Sequence, residues 1–168
     1  VNANYVREIC RYKDNQILLS TMSGLFLLKD KHISAFSKDK EPGSGSLYYD
    51  ASAQRLYVGW REKGLAVYST KTEKPVLLPQ LFLQGLNVME CYRQPNSDIL
   101  WISSNKGLIK FDVKKLQVLR AFTDKSGLIN NVVYAIMPFK NSLWLSTNKG
   151  VAQFDLTEEK FKAITQEE

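Results

Sequence analysis

The sequence predicts an all-β fold made of four similar antiparallel units with four strands each, and two observations carry this prediction. Four segments of the 168-residue chain repeat one another when they are aligned on Gly24, Gly64, Gly107 and Gly150. These glycines are 40, 43 and 43 residues apart, and every segment is rich in residues that favour strands. A period of about 40–45 residues in strand-rich units is typical of the blades of a β-propeller.

The last repeat shows the four strands most clearly. Asn131–Phe139 is a β-rich run, Leu143–Ser146 is a second strand and Val151–Asp155 is a third. Gly150 supplies the positive φ that a tight turn between the second and third strands requires. Lys160–Thr165 alternates polar and apolar residues, as expected of a half-exposed outer strand. Blade four is therefore predicted at about residues 127–166.

The same order of strands recurs upstream. Blade one is predicted at about residues 5–40, blade two at about 43–83 and blade three at about 85–123. The strands of blade three are expected at Val88–Tyr92, Ile99–Ser103, Leu108–Asp112 and Val118–Phe122. Together the four blades are predicted to form a single propeller segment over residues 1–168.

Blade two departs from the pattern of the others. It has Gly59 and Trp60 where other blades have Ser-Ser or Ser-Thr, and one extra residue before its glycine. Pro75 and Pro79 frame its fourth strand, which proline tolerates because an outermost strand is an edge. The stretch Pro42–Ser46 has the composition of a flexible linker, but it falls at a predicted blade junction and is interpreted as a connector between blades.

The chain carries 23 Lys and Arg against 17 Asp and Glu, a formal net charge of +6. A basic excess can indicate nucleic-acid binding. Here the lysines are scattered through predicted turns and few alternate with aromatic residues, as a single-strand binding groove would require. The charge pattern therefore favours solvated turns over a nucleic-acid site. The longest apolar runs are too short to span a bilayer, and no stretch has the order of a secretion signal.

Cys10 and Cys91 are the only cysteines of the chain. They fall in the first strands of blades one and three, which a ring of blades places further apart than the roughly 4.4–6.8 Å between Cα atoms that a disulfide needs. Both are predicted to be free thiols that act as small buried hydrophobic residues.

Trp101 and Trp144 occupy equivalent positions in blades three and four. Their rings could stack on sugars, or they could pack between blades. Leu18 and Tyr57 stand at the same position in the other two repeats. Because a large apolar residue recurs there in every repeat, packing is the favoured interpretation.

The repeats resemble the two-component regulator propeller repeat, whose pattern is roughly Gly-Leu-x-Asn-Asn-x-Val followed by Leu-Trp-Ile-Gly/Ser-Thr-x-x-Gly-Leu-x-x-Tyr/Phe-Asp. Gly127–Ile136 followed by Leu143–Asp155 matches this pattern nearly throughout. The second-best match combines the short run that begins at Gly85 with Leu100–Asp112. Blade one lacks the tryptophan and the aromatic–Asp ending, and blade two has Tyr-Ser where Tyr-Asp is expected.

Proteins with such repeats resemble the exported sensor halves of membrane-bound hybrid histidine kinases, notably those of gut anaerobes that respond to glycan fragments. The resemblance implies a periplasmic location. It also implies further blades (about seven per propeller) and transmembrane and kinase parts elsewhere in the parent protein. The implied function is ligand sensing, and the implied ligand is an oligosaccharide or another small molecule. The implied partners are further blades or a second copy, with no nucleic acid and with membrane contact only through other parts of the parent chain.

The chemistry of a catalytic or metal site is sparse in this sequence. His32 is the only histidine, without the Cys or carboxylate cluster of a usual zinc site, and it is predicted to lie on the surface. No phosphate-binding loop, nucleophile elbow or calcium loop occurs. No metal, no cofactor and no catalytic residue is therefore expected, and the segment is predicted not to be an enzyme.

Two carboxylates deserve weighing against that prediction. Glu8 and Glu90 lie on first strands, which should approach the central channel of a propeller. A pair of acids could act as general acid and base in glycoside cleavage. The alternative is that they line the channel and interact with water and with Arg7 or Arg93. Blades one and three are not neighbours, so the separation that glycoside cleavage needs is not assured.

A ligand would bind at one rim of the blades, where the loop before the first strand and the turn between the second and third strands meet. Amides, a guanidinium and an exposed aromatic ring suit sugar hydroxyls or a carboxylated glycan. Asn105 and Asn148 could instead be there because Asn tolerates turn conformations, whereas Trp60 and Arg61 break the repeat. The candidate ligand-binding residues are Trp60, Arg61, Asn105, Asn130, Asn131 and Asn148.

Three functions remain open from the sequence. The first is a non-enzymatic sensor propeller of a two-component system that binds an oligosaccharide and shifts the population of signalling states. The second is a scaffold for protein–protein interaction, although the Gly-His and Trp-Asp signatures of the commonest scaffold propeller are absent. The third and least favoured is a propeller enzyme that cleaves glycans.

Overall fold

The computed structural model describes residues 5–37, 44–162 and 164. They form four four-stranded antiparallel sheets, each in simple up-and-down order, which is the architecture of propeller blades. The chain divides into two compact units, Val1–Val88 and Met89–Glu168. The predicted all-β blade fold is confirmed. No helix among the described residues is long and apolar enough to cross a membrane.

The first unit holds blades one and two. The strands of blade one are β1 Val6–Arg11, β2 Ile17–Thr21, β3 Gly24–Lys29 and β4 His32–Ala35. The strands of blade two are β5 Ser44–Asp50, β6 Arg55–Trp60, β7 Gly64–Ser69 and β8 Val76–Leu77. Ser44–Ser46 of the predicted connector thus belong to β5, whereas Pro42 and Gly43 lie outside the described residues. The fourth strand of blade two is only two residues long and lies between the two prolines that were expected to frame it.

The second unit holds blades three and four. The strands of blade three are β9 Val88–Arg93, β10 Ile99–Ser104, β11 Gly107–Asp112 and β12 Gln117–Phe122. A short 3₁₀ turn, Asp124–Ser126, leads on toward blade four. The strands of blade four are β13 Val133–Phe139, β14 Ser142–Thr147, β15 Gly150–Asp155 and β16 Lys160–Lys162. These bounds lie within three residues of the predicted ones, because strong β patterning and turn glycines mark both blades.

A side-chain hydroxyl closes the turn between the second and third strands in three blades. In blade four, Thr147 Oγ1 donates to the carbonyl of Gly150 at 2.8 Å and accepts from the N–H of Lys149 at 3.1 Å. Ser104 in blade three and Thr21 in blade one make the same pair of bonds. This hydroxyl clamp explains why Ser or Thr recurs three residues before the glycine.

The aspartate that ends the third strand in blades three and four also has a local role. Asp155 Oδ1 accepts from the N–H groups of Thr157 and Glu158 at 2.9 and 3.1 Å. In blade three, Asp112 Oδ1 accepts in the same way from the N–H groups of Lys114 and Lys115. Both are Asx turns, which shape the connection to the fourth strand. The aromatic–Asp ending of the repeat is therefore a turn signal.

The blades within each unit pack face to face. We call the side of each sheet that carries Trp101 in blade three, or its equivalents in other blades, the forward face, and the opposite side the rear face. In the first unit, the forward face of blade one contributes Leu18 and Leu25 to a core with Leu56 and Val58 of the rear face of blade two.

The second unit repeats this arrangement. Trp101 and Phe122 of the forward face of blade three pack against Leu143, Leu145 and Phe154 of the rear face of blade four. The ring centroids of Phe122 and Phe154 are 4.7 Å apart, and those of Trp101 and Phe154 are 5.3 Å apart. Trp101 is 1% exposed and donates its Nε1–H to Gln94 Oε1 at 2.9 Å. The prediction that it packs between blades is confirmed.

Blade two reaches the same packing by other means. Trp60 stands where the other blades have the clamp hydroxyl, and its side chain is buried in the core of the first unit with only 2% exposed. Gly59 leaves room for Val88, because a Cβ on Gly59 would lie 2.5 Å from Val88 Cγ1. The sequence irregularity of blade two therefore exchanges a polar clamp for apolar packing.

Both cysteines are free thiols. Each is half-buried, which is more exposed than the prediction of a small buried residue implied. Cys10 packs against the core of the first unit. Burial raises the pKa of its thiol to about 12, with a smaller contribution from the negative charge of Glu8.

Candidate functional site

The rim predicted to bind ligands is shaped by irregularities in the first strands. The ladder between β1 and β2 shifts register between Val6 and Glu8, and the ladder between β13 and β14 shifts between Val133 and Ala135. Each shift leaves one extra residue, Arg7 or Tyr134. A β-bulge of this kind re-aims a side chain and is frequent beside functional sites.

These bulge residues reach the turn between the second and third strands of their own blade. Tyr134 donates its hydroxyl to Asn148 Oδ1 at 2.8 Å, and Arg7 Nη2 donates to Met22 Sδ at 3.3 Å. Met22 and Asn148 are equivalent residues, since each directly follows the clamp hydroxyl. The bulge and the turn therefore form one recurring exposed feature, which we call the rim pair.

The four candidate asparagines all lie at one end of the second unit. Asn105 occupies the β10–β11 turn and is half-buried. Gly107, which ends the same turn, packs against the carbonyl of Phe122, the last residue of β12. From Phe122 the chain leads through the 3₁₀ turn to Asn130 and Asn131. Asn148 lies at the same end, because Val133 at the start of β13 pairs with Thr147.

Two of these asparagines shape the loop that leads into β13. Asn130 Oδ1 accepts from the N–H of Val132 at 2.9 Å, and Asn131 Oδ1 accepts from the N–H of Asp124 at 2.7 Å. The hydrogen bond from the Asn131 side chain, followed by that from the Lys125 N–H, holds the pKa of the Asp124 carboxyl below its usual value. The oxygens of Asn130 and Asn131 are therefore engaged in loop structure.

The two candidates of the first unit have different outcomes. Arg61 is exposed in the β6–β7 turn, at the position equivalent to Asn148. Trp60 is not the exposed aromatic ring that was expected, because its side chain lies in the core of the unit, with Lys63 Nζ 5.7 Å from the ring centroid. Repeat breaking at Trp60 thus has a packing cause, whereas Arg61 stays available at the rim.

The sequence interpretation missed the rim residues Arg7 and Tyr134. Both are exposed. Their signal is faint, since a bulge interrupts the apolar–polar alternation of a first strand by one residue. Only the pairing of β1 with β2 and of β13 with β14 reveals which residue is the extra one.

The carboxylates weighed as catalytic acids hold neighbouring blades together. Glu8 Oε2 accepts from the N–H of Leu47 in blade two at 2.9 Å, and Glu90 Oε2 accepts from the N–H of Ile136 in blade four at 2.6 Å. Leu47 and Ile136 are equivalent, as each opposes the same position of the second strand of its blade. We call this contact the glutamate staple. Of the arginines expected near them, Arg7 donates to Met22 Sδ and Arg93 forms an ion pair with Asp98 at 3.6 Å.

The remaining polar chemistry of the rim is basic. A lysine directly precedes the turn glycine in blades two, three and four, as Lys63, Lys106 and Lys149. His32 is exposed, and its Nδ1–H donates to the carbonyl of Asp30 at 2.8 Å, away from the rim turns. No group of three or more potential metal ligands occurs among the described residues. The rim turns of the first unit therefore offer guanidinium and ammonium groups, and those of the second unit offer ammonium, phenol and amide groups. Each set suits a polar ligand with oxygen acceptors.

No family model and no curated protein matches the sequence. Solved structures do match the fold. The extracellular domain of BT4673 from B. thetaiotaomicron, described as a hybrid two-component system, is 20% identical, with a TM-score of 0.80 over 98% of this chain and 22% of that chain. The extracellular domain of BT3049 from the same organism, described in the same way, is 15% identical, with a TM-score of 0.79 over 98% of this chain and 25% of that one.

A third similar structure comes from another setting. PorZ of Porphyromonas gingivalis, a surface component of the type-IX secretion system, is 13% identical, with a TM-score of 0.73 over 92% of this chain and 26% of that chain. This chain thus spans about a quarter of the length of these relatives. At such identities the likeness confirms the propeller fold that the repeat resemblance implied.

Proposed function

We propose that this chain is a ligand-sensing segment of an extracytoplasmic β-propeller that belongs to a two-component sensor, and that it is not itself an enzyme. The likeness to the extracellular domains of BT4673 and BT3049 supports the class and the periplasmic location. The repeat resemblance in blades three and four points to the same class. The observation that carries a binding role is the rim, where equivalent turn positions of the four blades differ in side-chain chemistry.

The variation at the rim is what a binding surface needs. The residue after the clamp position is Met22, Arg61, Asn105 or Asn148 in the four blades. The hydroxyl clamp holds the same turn in blades one, three and four, and the turn of blade two is one residue longer and lacks the clamp. Side chains that differ on such turns create a surface with local specificity, as loops do on other rigid scaffolds.

The proposed ligand is an oligosaccharide, favoured in a form with carboxylate groups. In the first unit, Arg61 and Lys63 can bind carboxylates. In the second unit, Lys149 can bind carboxylates, and Asn148 and Tyr134 can exchange hydrogen bonds with hydroxyl groups. The glutamate staples weigh against glycan cleavage. Glu8 and Glu90 each accept a backbone N–H of the next blade, and each lies in a different unit.

A thermal-shift and calorimetric screen of the 168-residue chain against neutral and uronate-containing oligosaccharides tests this proposal. Binding of a uronate-containing saccharide is expected. Arg61→Ala should weaken binding at the first unit and Asn148→Ala binding at the second, each about tenfold, as the loss of one charged or polar contact does. Asn141→Ala is the matched control, because Asn141 is an exposed asparagine at the other end of blade four.

The outcomes separate the alternatives. Saccharide binding that is insensitive to both rim variants would place the site elsewhere on the chain. No stabilisation by any saccharide, together with recovery of one defined protein partner whose binding depends on Arg61 or on Asn148, would favour the scaffold function. Hydrolysis of any saccharide would contradict the non-enzymatic assignment.

A further inference from the structure

We infer that a groove between the outer strands of blades one and two is a binding site for a small aromatic carboxylate. The groove has a volume of about 630 Å³ and is lined by Ala35, Phe36 and Ser37 of blade one and by residues 74–77 of blade two. Both blades belong to the first unit, and none of the lining residues lies in a rim turn. The site is therefore separate from the rim, and it does not rest on the proposed saccharide.

An aromatic ring closes the matching junction in the second unit. Phe161 of β16 packs beside Phe154 of its own blade and Phe122 of blade three, with ring centroids 5.0 and 6.5 Å away. All three rings take part in the hydrophobic core of that unit. The outer part of the junction between two blades is thus a place where this fold accommodates an aromatic ring.

The first unit keeps two of these rings and lacks the third. Phe36 and Tyr68 hold the positions of the first two rings, and their centroids are 6.3 Å apart. Leu77 holds the position of Phe161, since it opposes Tyr68 in the β7–β8 ladder as Phe161 opposes its own neighbour in the β15–β16 ladder. Because leucine is smaller than phenylalanine and has no ring, the outer part of this junction is an open groove.

The first unit also lacks the ion pairs that cross this junction in the second unit. Glu159 of blade four pairs with Lys110 and Arg120 of blade three, the latter at 3.7 Å. The equivalent residues of the first unit are uncharged, namely Pro75, Leu27 and Ser34. Proline cannot extend a strand ladder, which limits β8 to two residues. The groove therefore results from the residues of this junction itself.

The walls of the groove favour an aromatic ring as the ligand group. Phe36, Val76 and Leu77 offer apolar surface, and a ring beside Phe36 gains an aromatic contact in addition to the burial of area. Residues 38–43, which join blade one to blade two, lie outside the described residues, and their sequence contains no aromatic side chain. The ring is therefore expected to come from a separate molecule.

A carboxylate suits the charged end of the groove. Lys74 is exposed there, and it forms no ion pair with any of the described residues. Its carbonyl accepts from Thr72 Oγ1 at 2.7 Å, which fixes the turn that carries it. No acidic residue lines the groove, so the ammonium group favours an anion. A mainly apolar groove with one charged group is typical of a site for a small molecule.

An NMR titration of the 168-residue chain with phenylpropionate tests the inference. A dissociation constant of about 1 mM or below is expected for a ligand of this size. The largest shifts should occur at the amides of Phe36 and Leu77. Cyclohexylpropionate lacks the aromatic ring and phenylpropanol lacks the carboxylate, so each should bind about threefold more weakly or less well still.

Leu77→Phe is the decisive variant, because it supplies the ring that Phe161 supplies in blade four. It should fill the groove and weaken phenylpropionate binding about tenfold or more, with an unchanged circular dichroism spectrum. Lys74→Met should weaken phenylpropionate binding about threefold and leave phenylpropanol binding unchanged. Lys71→Met is the matched control, since Lys71 is an exposed lysine of the same turn that does not line the groove.

Several results would overturn the inference. One is the absence of phenylpropionate binding at about 10 mM, a concentration that detects even weak sites. Others are shifts centred away from the groove, or a folded Leu77→Phe that binds as tightly as the wild type. If Leu77→Phe does not fold, the lysine pair decides, and equal phenylpropionate affinity of Lys74→Met and Lys71→Met would overturn the assignment.

Discussion

Blades three and four are nearly identical in their central strands and differ in what surrounds them. Leu100–Asp112 and Leu143–Asp155 share the order Leu-Trp, Ser, Asn-Lys-Gly and Phe-Asp. Both make the hydroxyl clamp and the Asx turn. Yet Trp101 is buried under a neighbouring blade, whereas Trp144 is half-buried at an open face. The comparison separates what the repeat dictates locally from what a neighbouring blade adds.

The tryptophan pair should give the largest contrast. Trp101→Ala removes a ring that contacts Phe122 and Phe154, and it should lower the free energy of unfolding by about 3–5 kcal/mol. Trp144→Ala should cost less, about 2 kcal/mol, because the ring is only half-buried and has less contact area to lose. Urea unfolding of dilute protein measures both. Equal losses would show that burial by the next blade contributes little.

The turn glycines should give the next contrast. A Cβ on Gly107 would lie 2.2 Å from the carbonyl oxygen of Phe122, whereas a Cβ on Gly150 would meet nothing within 4 Å. Both residues have positive φ, which costs an alanine about 1–2 kcal/mol. Gly150→Ala should therefore cost about that amount, and Gly107→Ala about 3 kcal/mol or more. The same urea titration measures the difference. Equal costs would contradict the close contact between Gly107 and the carbonyl of Phe122.

The staple between the two blades should have a smaller effect. Glu90→Ala leaves the N–H of Ile136 without its acceptor, which should cost about 1–3 kcal/mol. Glu90→Gln keeps an acceptor oxygen and should cost less. Hydrogen exchange at Ile136 reports the bond directly. Unchanged protection in Glu90→Ala would show that the staple does not secure β13.

The smallest expected effect is the acid sensitivity of Asp155. Lys162, which donates to Asp155 Oδ2 at 2.7 Å, together with the two backbone donors of the Asx turn, lowers the pKa of this carboxyl to about 2 from its usual 3.8. A carboxyl whose pKa is depressed by folding stabilises the fold above its unfolded pKa, and this contribution is lost as the pH falls from about 4 toward 2.

Asp155→Asn should remove this part of the pH dependence. Melting temperatures measured between pH 2 and pH 6 test it, with Lys162→Met as a second variant that removes the ion pair but keeps the carboxyl. A wild-type curve and an Asp155→Asn curve that run parallel through this range would contradict the assignment.

The sequence was sufficient for the features that local chemistry sets. Strand positions in blades three and four follow from β-favouring runs, and their turns follow from Gly107 and Gly150. The burial of Trp101 could also be predicted, because a large apolar residue recurs at that position in each repeat. The strands and turns are decided by neighbouring residues, whereas the burial of Trp101 follows from the repetition of blades, since its partners Leu143 and Phe154 belong to blade four.

The remaining features depend on the register between paired strands and on contacts between blades, which the order of residues along the chain does not show. Trp60 looked like a rim residue because it breaks the repeat, but the alternation of β6 directs it into the core. Arg7 and Tyr134 reach the rim only because a bulge adds one residue to their strands. The partner of Glu90 is a backbone N–H of the next blade, and no side-chain motif marks such a partner.

The hydroxyl clamp has a consequence for how such a protein can change over evolutionary time. The bonds that define the turn involve the hydroxyl before the tip and the backbone around it, so they do not require a particular side chain at the tip. Replacing Asn148 removes one bond to the exposed Tyr134 hydroxyl and alters what the surface presents, while the clamp keeps its partners. A lineage can thus explore new recognition properties one residue at a time, from a scaffold that tolerates each step.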